Sequence, residues 1–147
     1  MLAGSGVKGS FTHKENYHLT FAFIGECAAP ERAAEAIEAV EATPFKIVFD
    51  SFGNFGNIEY LSMRRGGETI SLMLAVRDSL RKFGINTDNS DPVPHITLAR
   101  NSKRPDGFKY PVFEAISMTV NSLSLMQSEL GSGRAVYTEL YRKSFFN

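Results

Sequence analysis

Asn16-Tyr-His-Leu-Thr-Phe-Ala-Phe-Ile-Gly-Glu26 is answered later in the chain by Pro94-His-Ile-Thr-Leu-Ala-Arg100. Each stretch carries a histidine, one apolar residue and a threonine within an apolar and β-branched run, which predicts strands over Tyr17 to Ile24 and about Pro94 to Arg100. Side chains alternate faces along a strand, so His18 and Thr20 project to one side while Leu19 and Phe21 project to the other. His95 and Thr97 repeat the arrangement. A fold that sets the two strands alongside one another gives one groove two imidazoles and two hydroxyls, a set suited to acid–base chemistry on a phosphate.

Outward from these stretches the pattern alternates strands with helices. Pro30 fits the first turn of a helix whose apolar face is Ala33, Ala34, Ile37 and Val40 and which runs to about Thr43-Pro44. Phe45 to Phe52 and Ile58 to Met63 predict a strand pair turning at Gly53-Asn-Phe-Gly56. Ile70, Met73, Leu74, Leu80 and Phe83 recur at helical spacing until Gly84. A polar loop, Asn86 to Pro92, leads into the second motif. Val112 to Met126 and Ala135 to Phe145 are strand-rich and flank the hairpin signal Gly131-Ser-Gly133. Each half of the chain thus has one motif strand and one helix. This predicts an α+β fold of two pseudo-symmetric lobes of antiparallel sheet with flanking helices and an active-site groove between them.

The 147 residues contain no linker-like stretch and suit a single domain over residues 1–147, with apolar residues at 43% and charged residues at 22%. Sixteen basic residues cancel sixteen acidic ones. A neutral chain does not grip a long polynucleotide by charge alone, so contact with nucleic acid is expected to be local, at one terminal phosphate or one nucleotide. Lys8, Lys14, Arg64, Arg65, Lys103 and Arg104 are the cations available to rim such a site. One cysteine, Cys27, allows no internal disulfide and fits a reducing, cytoplasmic setting as a buried or half-buried inert thiol. No signal peptide or membrane span is recognisable.

Histidines also serve as satisfied core residues, and threonine is a good strand former, so either motif alone is weak. Two of three histidines in matching context are harder to dismiss, whereas His13 lies in a polar run and reads as surface. A catalytic zinc site normally needs three protein ligands, and neither His-x-His nor His-Glu-x-x-His occurs, so no metal and no cofactor is expected. Nor is there a Gly-x-Ser-x-Gly elbow to poise a serine.

The two quoted segments closely resemble the signature segments of the 2H phosphoesterase superfamily, and within it the bacterial RNA 2′,3′-cyclic phosphodiesterases, also called 2′-5′ RNA ligases. The resemblance runs from about Val7 to the C-terminus, including Gly9-Ser-Phe-Thr12 and the long helix before the second motif. It implies metal-independent hydrolysis of RNA or nucleotide 2′,3′-cyclic phosphodiesters to a phosphomonoester. His18 is then the proton donor and His95 the proton acceptor, with Thr20 and Thr97 binding the non-bridging oxygens. Arg100 takes the place of the family's phosphate-clamping arginine, although its odd offset from His95 points it toward the other strand face. Ligation or cleavage of 2′-5′ linkages, and nucleotide binding without turnover, are the alternatives. The expected partner is an RNA end or nucleotide with a cyclic phosphate. Family members begin with an apolar strand and helix ahead of the segment resembling Val7 to Thr12, where this chain begins. A monomer or a homodimer through an open sheet edge is therefore expected.

Overall fold

Lys8–Phe11 forms β1, the edge of a four-stranded antiparallel sheet in a computed structural model that describes residues 2–146. Its neighbours, in order, are β5 (His95–Lys103), β4 (Ile58–Ser62) and β3 (Ser51–Phe55). β2 (Phe45–Phe49) pairs with β6 (Ile116–Val120), and β7 (Ser122–Gly131) pairs with β8 (Arg134–Ser144). The ladders are antiparallel, and two helices complete the α+β fold.

α1 (Pro30–Glu38) starts on Pro30, whose missing N–H costs nothing in the first turn, and buries Ala33, Ala36 and Ile37. It is shorter than its apolar pattern predicts. Lys143 of β8 donates to the carbonyls of Glu38 and Val40, satisfying groups the helix leaves open where it stops. α2 (Gly67–Lys82) ends as its sequence predicts: Gly84 adopts φ 80°, Gly84 N–H donates to Arg81 O, and Ile85 N–H to Leu80 O. That is the paired-bond stop a left-handed glycine permits, with Ile85 and Leu80 both buried beside it. Ser79 Oγ donates to Ala36 O at 2.6 Å and ties α2 to α1.

One cluster of buried side chains joins Ile37 of α1, Leu72, Val76 and Leu80 of α2, Ile47 and Phe49 of β2, Leu61 of β4 and Leu98 of β5. In β2, Ile47 and Phe49 face it while Lys46 and Val48 stay exposed.

Three expectations need correction. Tyr17 to Ile24 is not a strand: among the described residues no ladder runs along it. A strand exists only by pairing, and here the Phe21 and Phe23 carbonyls accept instead from Arg77 Nε and Asp88 N–H. Alternation survives only as far as Phe21: Leu19 and Phe21 pack on the core while His18 is exposed, and beyond them Ala22 and Ile24 take the core side and Phe23 is exposed. Phe45 to Phe52 is two strands broken at Asp50, because β2 takes β6 as its partner and only β3 pairs with β4. The turn between β3 and β4 falls at Gly56-Asn57, so Gly53 lies within a strand. The β7–β8 turn, by contrast, is at Ser132 and Gly133, with φ 48° and 80°, the pair of left-handed residues that a tight hairpin needs.

Candidate active site

His95 and Thr97 alternate along β5, opposite Ser62 and Tyr60 of β4. Tyr60 lies over the histidine face and the Glu59 carboxylate is fully buried on the other, while opposite them β5 carries one extra residue, Leu98, between Thr97 and Ala99. The Tyr60 ring is 5.4 Å from His95 and 4.5 Å from Phe55, which stands edge-on to His95 at 5.2 Å. Tyr60 fits over β3 because its neighbour is Gly53, where a Cβ would come within 2.5 Å of the ring. Ser62 Oγ donates to Pro94 O at 2.6 Å and fixes the chain just ahead of His95.

His95 Nδ1 lies 2.7 Å from Val93 O, and His18 Nδ1 lies 2.7 Å from Asn16 O. A carbonyl only accepts, so both imidazoles carry a proton on Nδ1, which leaves Nε2 as the ring nitrogen free to exchange a proton. The two motifs are therefore matched in the local contact that sets the tautomer as well as in residue type. His18 is braced by the tilted ring of Tyr137 of β8 at 5.0 Å, and Asn16 Nδ2 donates to Ala135 O of the same strand. Thr12 N–H donates to Leu98 O, so the segment that leads to His18 departs from the strand that carries His95.

The His18 segment is held by side chains in place of a ladder. Arg77 of α2, almost fully buried, donates from Nε to Phe21 O at 3.2 Å and from Nη1 to Ser90 O at 2.7 Å. Asp88 accepts from Phe23 N–H and from Ser90 Oγ. Burial pushes the Asp88 carboxyl up, but these bonds and the Arg77 charge outweigh it and hold the group below its ordinary value.

On the far side of the sheet, Arg104 Nε and Nη2 bridge the Glu59 carboxylate at 2.7 and 3.0 Å, joined by Tyr110 Oη at 2.6 Å and Ser102 Oγ at 3.1 Å. Arg104, a rim cation by sequence, is thus engaged by a buried carboxylate while a third of its side chain stays exposed. Burial pushes the Tyr110 phenol up to about 12, reinforced by its bond to Glu59. Arg100 pairs with Ser10 of β1 and is exposed; because Leu98 is an extra residue opposite Glu59 and Tyr60, Leu98 and Ala99 both turn to the core, and Arg100 returns to the face of His95 and Thr97 despite its odd offset. Among the described residues no group of three His, Cys, Asp or Glu side chains gathers as a metal set.

A family model described as 2'-5' RNA ligase superfamily matches residues 10–132. The chain belongs to the 2'-5' RNA ligase superfamily. The RNA 2',3'-cyclic phosphodiesterase of Escherichia coli is 30% identical over 138 residues, spanning 87% of this chain and 75% of that protein. Its namesake in Bacillus subtilis is 28% identical over 146 residues, 90% of this chain and 78% of that one. The structure of E. coli LigT complexed with 3'-AMP is similar to this one at a TM-score of 0.84 and 26% identity, over 95% of this chain and 82% of that chain.

Membership in this superfamily agrees with the 2H phosphoesterase resemblance carried by the two motifs. Sequence reasoning missed Tyr60, Phe55, Arg77 and Asp88, which frame or anchor the motifs. Only the parity of Tyr60 and Ser62 in a neighbouring strand could have flagged the first of these. Phe49 is buried in the core, and Phe52, packed against it, stacks on Tyr110 at 5.1 Å. Among the described residues no helix is long and apolar enough to cross a membrane.

Proposed function

We propose that the chain is a cyclic phosphodiesterase that hydrolyses RNA or nucleotide 2′,3′-cyclic phosphates to a phosphomonoester, with His18 and His95 as its acid and base. The observation that carries this reading is the matched Nδ1 contact of the two histidines, which aims a free Nε2 from each motif. A neutral Nε2 takes a proton from water as the water oxygen bonds to phosphorus. A protonated Nε2 gives its proton to the ribose oxygen as that P–O bond breaks. His95 is the acceptor and His18 the donor, by analogy with the superfamily. Thr20 and Thr97 donate hydroxyl protons to the non-bridging oxygens, whose charge grows in the transition state. Arg100, which the β5 bulge returns to the face of His95 and Thr97, is the cation of this scheme that clamps the phosphate.

The chemistry needs no metal, since the proton transfers and the charge stabilisation both come from side chains. The test is incubation with a nucleoside 2′,3′-cyclic phosphate in the presence of a chelator, followed by product analysis. A 2′- or 3′-monophosphate is the expected product, and its position identifies the oxygen that the acid protonates. No product, or product only after metal is restored, overturns the scheme.

A further inference from the structure

Beside β2, Lys46, Val48, Asp50, Arg64 and Arg65 line an open groove of about 570 Å³. We propose that this groove is a second phosphate site, which holds a single-stranded RNA substrate about one or two nucleotides from the end that reacts; this rests on the catalytic reading above. Its three cations are exposed, and among the described residues none of them takes part in an ion pair. The lone acid, Asp50, is already engaged, its Oδ1 accepting from Arg64 N–H at 2.8 Å. The wall therefore keeps an excess of positive charge in a chain that is neutral as a whole. That is the local kind of contact a neutral protein makes with a polyanion. Val48, 39% exposed between the cations, gives the sugar an apolar surface.

The position of the groove makes RNA the occupant that fits. Arg64 lies two residues past Ser62, and Ser62 is the cross-strand partner of His95. Two residues span at most about 7 Å, and directly paired Cα atoms lie about 5 Å apart. The Arg64 backbone is thus within about 12 Å of His95. Pro94 also abuts Gly66, just beyond Arg65. Lys46 and Val48 point away from the core, and β2 runs into β3 through Asp50, whose N–H donates to Ser62 O. A strand whose terminal phosphate lies at His95 can therefore lay its next phosphates along Arg64, Arg65 and Lys46. The groove would favour an RNA end over a mononucleotide.

Two measurements on wild type and the triple variant Lys46→Ala/Arg64→Ala/Arg65→Ala test this. In kinetics, kcat/KM is compared for a nucleoside 2′,3′-cyclic phosphate and a tetranucleotide with the same cyclic end. The preference for the tetranucleotide should fall about tenfold in the variant, through KM. Equal loss on both substrates overturns the proposal. In binding, anisotropy of a labelled tetranucleotide ending in a 3′-phosphate should show weakening of about tenfold. The slope of log affinity against log salt should drop by about two, at about 0.7 per phosphate neutralised on a single strand. Unchanged binding overturns the groove. If wild type hydrolyses neither substrate, the catalytic reading has failed, and the binding pair alone still decides the groove.

Discussion

Phe23 and Asp88 hold each other by two hydrogen bonds: Phe23 N–H donates to Asp88 Oδ1 at 3.2 Å, and Asp88 N–H donates to Phe23 O at 3.1 Å. With Arg77 on Phe21 O, they do for the His18 segment what a neighbouring strand does for His95. One histidine is placed by a sheet and the other by a salt-bridged loop, yet both end with the same Nδ1 contact to the carbonyl two residues before.

Asp88→Ala should therefore loosen the His18 half of the site more than the fold. The Phe23 N–H loses its acceptor, and Arg77 loses a carboxylate at 3.9 Å. A loss of about 1–3 kcal/mol is expected in urea unfolding. Hydrogen exchange should rise around Phe21 to Ile24 while β5 stays protected. Uniform exchange across both regions would show that the loop is no special anchor.

Acid should weaken the protein through Glu59. Burial alone raises its carboxyl, but the bonds from Arg104, Tyr110 and Ser102 outweigh burial and hold it below its ordinary value. A carboxylate lowered in the folded state binds fewer protons than in the unfolded chain. Its contribution is whole above the unfolded value, about 4.3, and is lost as pH falls through the folded one. Glu59→Gln should cost about 2–3 kcal/mol near neutrality, under the about 3–5 of a fully buried pair because Arg104 keeps a third of its surface. Its urea midpoint should also vary less than that of wild type below about pH 5. In the opposite direction, Tyr110→Phe should remove a phenol that ionises near 12 from the ultraviolet titration.

The sequence made the site more legible than its setting. Two histidines and two threonines at strand spacing are local signals, and alternation of His18 against Leu19 holds even without a ladder. Gly84 stopped α2 because a left-handed residue is a local need as well. What stayed hidden depends on long-range pairing. Asp50 ends β2 because β6, distant in sequence, takes that strand. Glu59, a charged residue in a strand pattern, gives no sign that Arg104 and Tyr110 will bury it. Arg77 looks like an ordinary surface arginine of an amphipathic helix until the polar loop folds over it.

His18→Ala and His95→Ala should each lower turnover on a cyclic phosphate by about 10²- to 10⁴-fold. Both side chains are at least partly exposed, so the urea midpoint should barely move. The wild-type rate should rise and fall with pH as one imidazole must be neutral and the other protonated, and each variant should lose one limb of that bell. Full activity in either variant would remove that histidine from the mechanism.

Gly53→Ala tests whether the ring that flanks His95 is held by the empty space beneath it. The added Cβ would meet the Tyr60 ring at 2.5 Å, and Tyr60 already leans on Phe55 and His95, so the ring must move into its neighbours. Overpacking of this kind costs about 1–3 kcal/mol. The His95 imidazole resonances should shift, and turnover should fall in step. In a Tyr60→Ala background the methyl group no longer meets the ring, so Gly53→Ala should then cost little in stability or turnover. Equal penalties in both backgrounds would place the effect in the β3 backbone instead of the Tyr60 ring.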